Sequence, residues 1–202
     1  METLTVIADS SLRRVVTLVA ALNLGFFGIE FSVALAIGSV ALFADSIDFL
    51  EDTSINLLIL VGLGWSLAAR ARLGMLLAGI LLVPGMATLW TAAQKVLAAE
   101  VAVPDPWWLA LTGAGAMAVN LVCALMLARH RATGGSLARA AFLSARNDVF
   151  ANIAIIGTAF VTAATLSPWP DLVVGLGIAA MNADAAREVW EAARQEARDA
   201  RA

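Results

Sequence analysis

The sequence of 202 residues is poor in charge, in cysteine and in histidine: only 14% of its residues are charged, and it has one cysteine and one histidine. A single cysteine, Cys123, excludes a disulfide framework, and we expect it to be a small packing residue. The low charge, together with 61% hydrophobic residues and a mean hydropathy of +0.85, excludes an ordinary soluble domain. At the N-terminus, METLTVIADSSLRR has acids and an arginine pair where a cleavable signal peptide needs a basic start. The composition predicts an integral membrane protein.

Long apolar stretches predict an all-α fold, a polytopic bundle of six transmembrane helices. Turn-forming glycine, proline and arginine residues separate these stretches. The predicted spans are Val15–Ile37, Ser39–Ala69, Leu73–Leu97, Trp107–Ala128, Leu137–Leu166 and Leu172–Val189. The domain organisation is then a cytoplasmic N-terminal segment over residues 1–14, a transmembrane domain over 15–189 and a short polar cytoplasmic tail over 190–202.

The basic residues predict the orientation of the bundle. Eleven of the 13 basic residues fall on one side of a six-span arrangement, and Lys95 lies only near an opposite loop. Because loops rich in Lys and Arg stay in the cytoplasm, both termini are predicted to be cytoplasmic. The predicted location is a bacterial cytoplasmic (inner) membrane.

The second span carries a stripe of carboxylates. Asp45, Asp48 and Asp52 fall within roughly 60° of one another on a helix, and Asn56 continues the same stripe. Burying a carboxylate in hydrocarbon costs at least ~2.5 kcal/mol, so such residues usually face a cavity, a partner or a cation. The stripe is typical of the wall of a cation site.

A second polar cluster lies on the fifth span. Ser144, Asn147, Asp148 and Asn152 occupy one broad helical face, and in both spans an aspartate is followed one turn later by an asparagine. At 1.5 Å per residue, Asp48, Asp52 and Asp148 lie about 15–21 Å from a membrane surface, near the middle of a ~30 Å core. Matching depths predict that the two clusters converge on one ion.

Ion pairing within the membrane accounts for only part of this charge. The apparent intramembrane acids far outnumber the one intramembrane arginine, Arg146. Whether Arg146 pairs with Glu30 or Glu51 stays open. Protons or a bound cation must balance the remaining acids. Asn23 and Asn120 are typical of interhelical hydrogen bonds, and His130 of a solvated interface residue.

Several segments resemble the helices of one known family. LNLGFFGIEFSVALAIGSVALFADSIDFLEDT is similar to its first two helices, AVNLVCALMLARHR to its fourth, SLARAAFLSARNDVFANIAII to its fifth and WPDLVVGLGIAAMNADAAREVWEAA to its sixth. The family is that of the cation diffusion facilitators, proton-coupled exporters of divalent metal ions. The resemblance implies a tetrahedral metal site with Asp48 and Asp52 on the second helix and Ser144 and Asp148 on the fifth.

Two features depart from the pattern of that family. Ser144 stands where a histidine or aspartate is usual, and since a hydroxyl is a weak zinc ligand, the fourth contact is open to Asn147, Asp45 or water. The usual cytoplasmic metal-binding and dimerising domain has no counterpart in the sequence. The chain therefore resembles a membrane-domain-only member, in which a homodimer would form through transmembrane helices.

The predicted function is export of a divalent metal ion by alternating access, without enzymatic activity. Metal from the cytoplasm would displace protons from the ligand aspartates, and protons from outside would later release it. Asp45 would admit ions or relay protons, with Asn56, Asn147 and Asn152 in support. An oxygen-rich site favours Mn²⁺, Fe²⁺ or Co²⁺, and Zn²⁺ and Cd²⁺ stay open. Besides the ion, protons and the lipid bilayer, we expect no prosthetic group and no nucleic-acid partner.

Other functions fit the sequence less well. The main alternative is a non-transporting metal sensor or partner subunit of the same fold, which Ser144 and the missing domain would suit. An exporter of organic cations would need aromatic walls around one carboxylate. Among enzymes, the motif of the CDP-alcohol phosphotransferases does not continue after Asp48, and Asn147 precedes Asp148 where an intramembrane aspartyl protease has glycine.

Overall fold

The computed structural model of the chain is all-helical, and it describes residues 2–62, 69, 72, 75–76, 86, 88–97, 102–129 and 135–199. Its six helices confirm the predicted fold class. They are α1 (Glu2–Ile37), α2 (Val40–Gly62), α3 (described as a continuous stretch over 88–97), α4 (Pro106–Ala128), α5 (Gly135–Thr165) and α6 (Trp169–Asp199). Helix α6 continues into the predicted polar tail as far as Asp199.

Three of the described helices are long and apolar enough to cross a membrane: Ser11–Ile37, Pro106–Ala128 and Ala145–Thr165. The apolar part of α6, Trp169–Met181, is shorter. Helix α2 has a similar length to α4 but carries four acids, which is why its composition does not mark it as a span. About half of the predicted span Leu73–Leu97 lies outside the described residues.

Polar side chains point into the bundle and large apolar ones point out of it. Asn23, Glu30 and Asp45 are fully buried, whereas Leu125 and Phe160 are 61% and 70% exposed. A bundle in water shows the opposite arrangement, because apolar side chains are then driven inside. The outer surface of this bundle is therefore built to face lipid.

Two apolar clusters form the core at different depths. We call the end of the bundle that carries Gly38 the turn end. The turn-side cluster includes Ala44 and Ile47 of α2, Leu109 of α4 and Ile155 of α5. The far-side cluster lies towards the termini and includes residues from four helices: Val16 and Val19 of α1, Ile59 of α2, Cys123 and Leu127 of α4 and Ala145 of α5. Between the two clusters lie Asp48 and Asp52 of α2 and Asp148 of α5.

At the turn end, one aspartate of α6 fixes the first turn of α2. Fully buried Asp171 accepts hydrogen bonds from the Ser39 hydroxyl and from the Val40 amide at 2.9 Å. Its other neighbour is the Lys95 ammonium, at 3.2 Å, which also donates to the Gly38 carbonyl at 2.8 Å. Gly38 has φ +65, which allows the sharp reversal between α1 and α2. Four segments of the chain therefore meet at one carboxylate.

Gly175, one turn after Asp171, lets α6 approach the backbone of α2. A Cβ atom at this position would lie 2.6–2.7 Å from backbone atoms of Val40 and Ala41. Backbone atoms in a packed helix cannot move aside as a flexible side chain would. The close approach of the two helices therefore requires glycine at this position.

We expect Gly175→Ala to destabilise the bundle by about 1–3 kcal/mol, because the added methyl group overpacks the α2–α6 contact. Gly177→Ala is the matched control, since it lies on the same helix and a Cβ there meets nothing within 4 Å. Thermal unfolding of the two purified variants in detergent gives the comparison. Equal unfolding temperatures for both would contradict the close contact.

Removal of the Asp171 carboxylate should destabilise the protein more than removal of an ordinary helix cap. Asp171→Ala leaves the partly buried Lys95 ammonium without its carboxylate, at a cost of about 3 kcal/mol. Asp105 is exposed and caps α4 through the Trp107 amide, so Asp105→Ala should cost about 1 kcal/mol. The free energies of unfolding of the two variants test this order, and the reverse order would refute it.

Candidate metal centre

The predicted stripe on α2 faces the interior of the bundle. Asp45 is fully buried and Asp52 is 4% exposed, whereas Asp48 is only half-buried. These aspartates occupy successive turns of one helix, as the 3.6-residue period requires. Among these three carboxylates, Asp48 is therefore the most accessible from outside the protein.

Asp148 of α5, which is 9% exposed, lies close enough to this stripe to interact with it. Asp148 lies near enough to Asp48 and Asp52 for their negative charges to repel one another. Repulsion between like charges is large where water is excluded. The three residues predicted as ligands thus form one electrostatic cluster that a cation would stabilise.

The two asparagines that follow these aspartates are bound in the same way. Asn56 Nδ2 donates to the Asp52 carbonyl at 2.7 Å, and Asn152 Nδ2 donates to the Asp148 carbonyl at 2.7 Å. In both side chains the Oδ1 atom is buried and has no hydrogen-bond partner among the described residues. The sequence pattern shared by α2 and α5 is therefore also a shared geometry.

Three helices are connected through Asn23 of α1. Its Nδ2 donates to Asp52 Oδ2 at 3.4 Å, and its Oδ1 accepts from Cys123 Sγ of α4 at 3.6 Å. The predicted interhelical hydrogen bond of Asn23 is thus observed, whereas the contact of Cys123 with it was missed. Because the bond to Asp52 is long, it orients the carboxylate without holding it rigidly.

A second pair of carboxyl groups lies nearer the turn end. Glu30 of α1 and Asp45 of α2 are both fully buried and within hydrogen-bonding reach of each other. None of their four oxygens finds a donor among the described residues. Two carboxyl groups bond to one another only when one of them carries a proton. A proton or a cation is therefore needed to balance this pair.

The remaining predicted residues lie elsewhere or outside the described part. Asn147 is exposed, and its Oδ1 accepts from Arg146 at 3.2 Å. The pairing of Arg146 with Glu30 that the sequence left open is not formed, because Glu30 has no partner among the described residues. Ser144 belongs to α5, but its side chain lies outside the described part, as does His130.

In their described positions, the side chains do not form a closed coordination shell for a metal ion. In the described part of the chain, no three His, Cys, Asp or Glu residues are grouped closely enough to hold a metal ion. Asp48, Asp52 and Asp148 would therefore have to rotate towards an ion to bind it together. The half-buried position of Asp48 gives its side chain room to do so.

Buried acids inside a bundle with an apolar surface define a polytopic membrane protein with an intramembrane polar site. Comparison with known families is consistent with this class, since the cation efflux transmembrane domain matches residues 16–195. The chain belongs to this cation efflux family, whose members transport divalent metal cations across membranes. No curated protein matches the chain closely enough to count as a relative.

We expect Asn23→Ala to weaken metal binding by about 10- to 100-fold, because Asp52 loses the amide that orients it. Asn147→Ala is the matched control, since this asparagine is exposed and bonded to Arg146. Calorimetric titration of both purified variants with Mn²⁺ and Zn²⁺ measures the effect. An equal loss of affinity in the two variants would show that the Asn23–Asp52 bond does not matter for binding.

Proposed function

We propose that the protein exports divalent metal ions in exchange for protons, and that Asp48, Asp52 and Asp148 bind the ion. The observation that carries this proposal is the position of these carboxylates, which lie on two contacting helices between two apolar clusters. They come from two helices, α2 and α5, so relative movement of these helices would change the distances between the ligands. This is what a transporter needs in order to bind an ion on one side and release it on the other.

Exchange with protons follows from the chemistry of the ligands. A carboxylate binds metal only in its deprotonated form, so metal and protons compete for the same oxygens. Metal from the cytoplasm would displace protons from the aspartates. Once the site opens outwards, protons would displace the ion from the aspartates. On this proposal, alternating access and proton coupling use one set of side chains.

The Glu30–Asp45 pair is suited to relay these protons. It lies on the turn side of Asp48, which the predicted topology places towards the outside. Each of its oxygens is unpaired among the described residues, so the pair can accept a proton without breaking an existing hydrogen bond. Asp45 lies one turn from Asp48, close enough to pass a proton to the ligand cluster through a short water contact.

The nature of the ligands favours harder ions. Carboxylate, amide and water oxygens suit Mn²⁺ best, with Fe²⁺ and Co²⁺ as further candidates. Ser144 contributes at most a hydroxyl to the fourth position. Zn²⁺ and Cd²⁺ usually take imidazole or thiolate ligands, and we place them second. A homodimer, if formed, would use transmembrane helices, and we place the protein in a bacterial inner membrane with both termini in the cytoplasm.

The test is transport by the purified chain in vesicles that contain a metal-sensitive dye. We expect the wild type to carry Mn²⁺ and the variants Asp52→Asn and Asp148→Asn to fall to the level of protein-free vesicles. Both substitutions keep the shape of the side chain and remove its charge. Asp105→Asn is the control, because this aspartate is exposed at the turn end.

A pH-sensitive dye in the same vesicles measures the coupled protons. Metal uptake should move protons in the opposite direction, and the apparent metal affinity should fall as pH falls, because protons occupy the carboxylates. Normal transport by both aspartate variants would refute the ligand assignment. Metal binding without any transport by the wild type would favour the sensor or partner-subunit alternative.

A further inference from the structure

Each of four helices carries one deeply buried asparagine. The exposed fraction is 0% for Asn23 of α1, 1% for Asn56 of α2, 2% for Asn120 of α4 and 0% for Asn152 of α5. A buried carboxamide in a membrane bundle normally uses both its oxygen and its amino group in hydrogen bonds. Only Asn23 does so through contacts between side chains.

The four asparagines lie at a common depth. Counted at 1.5 Å per residue from the turn end of its own helix, each lies roughly 20–24 Å into the bundle. Cys123, one turn from Asn120 on α4, contacts Asn23, and Asn23 contacts Asp52. By the same count, Asp52 and Asp148 lie within about 2 Å of this range of depth. The asparagines therefore form a layer beside these two aspartates, and we call it the asparagine layer.

The unpaired atoms of this layer are all oxygens. The amino groups of Asn56 and Asn152 are used by the carbonyls of their own helices, which fixes the orientation of each side chain. Their Oδ1 atoms, and that of Asn120, have no hydrogen-bond partner among the described residues. Three buried acceptors from three helices, without a donor among the described residues, are available as neutral ligands for a cation.

We propose that Asn56, Asn120 and Asn152 supply amide oxygens to the transported ion and make the site selective for hard divalent cations of the Mn²⁺ class. The inference rests on the proposed function, because it assigns further ligands to the same ion. Amide oxygens suit Mn²⁺ and Mg²⁺ and add nothing for thiophilic ions. Helix α4 supplies no carboxylate to the site, so Asn120 completes the ligand shell on that side.

The variant Asn120→Leu tests this role, because leucine has a similar size and no oxygen. We expect its affinity for Mn²⁺ to fall about tenfold or more while its affinity for Cd²⁺ changes by less than about threefold. Titration of the purified variant with each ion, followed through the shift in unfolding temperature, gives both affinities. Asn120→Asp keeps an oxygen at this position, so it should bind Mn²⁺ at least as well as the wild type.

A structural role for the asparagine predicts a different result. If Asn120 only packs, Asn120→Leu should change the affinity for both ions equally or leave both unchanged, and either result would overturn the proposal. Without metal, we expect Asn120→Leu to unfold at the same or a higher temperature, because a buried unpaired acceptor is gone. Thr162→Val is the control: it also removes a buried unpaired oxygen, near the end of α5, and should leave both affinities unchanged.

Failure of this inference is distinguishable from failure of the proposed function. Asp52→Asn should abolish binding of both ions if the aspartates are the ligands. Loss of binding in Asp52→Asn, with an unchanged ratio of Mn²⁺ to Cd²⁺ affinity in Asn120→Leu, would refute the amide ligands alone and leave water as the occupant of the layer. Retained binding of both ions in Asp52→Asn would refute the site itself.

Discussion

The hydrocarbon core of a membrane offers neither hydrogen bonds nor counter-charges to a buried acid. This constraint affects α2 most, and the rest of the bundle is arranged around that helix. Helix α2 carries four acids within Val40–Gly62, and no lipid-facing position could hold them at a tolerable free energy. The other helices therefore pack around α2 and supply it with polar neighbours. Asn23 comes from α1, Asp148 from α5 and Asp171 from α6. The apolar outer surface follows from the same constraint.

The polar groups in the first turn of α2 and those farther along the helix differ in how completely they are hydrogen-bonded. Its first turn is fully paired, since Asp171 accepts from Ser39, Val40 and Lys95, and Gly175 brings α6 against the backbone. Farther along the helix, pairing among the described residues is incomplete: Asp45 lacks a donor nearer the turn end, and Asn56 Oδ1 lacks one deeper in the bundle. Contacts within the fold therefore satisfy the hydrogen bonds of the polar groups at the turn end. They leave a set of oxygens in the middle of the bundle that an ion or water molecules would satisfy.

Sequence alone predicts those parts of the site that depend on the helical period and on turn residues. The α2 stripe, its counterpart at Asp148 and the helix ends at Ile37 and Ala128 follow from such local rules. The rotation of each helix against its neighbours does not follow from them. The helical period places Asn147 and Asp148 on one broad face of α5, but the packing of the helices leaves Asn147 exposed. Likewise, Asp171 bonds to Val40 across 131 residues, which no local pattern predicts.

A site built from both carboxylates and carboxamides separates two tasks that one kind of ligand cannot perform equally well. Carboxylates give affinity and couple it to protons, yet every further buried charge adds a desolvation penalty of several kcal/mol. An amide oxygen is neutral and does not titrate, and burying it costs about 1–3 kcal/mol. On our proposal, Asp48, Asp52 and Asp148 exchange metal for protons, while the asparagine layer discriminates between ions without further charge. Because amide oxygens keep their ligand properties when the aspartates are protonated, ion release depends on the carboxylates, and selectivity is independent of pH.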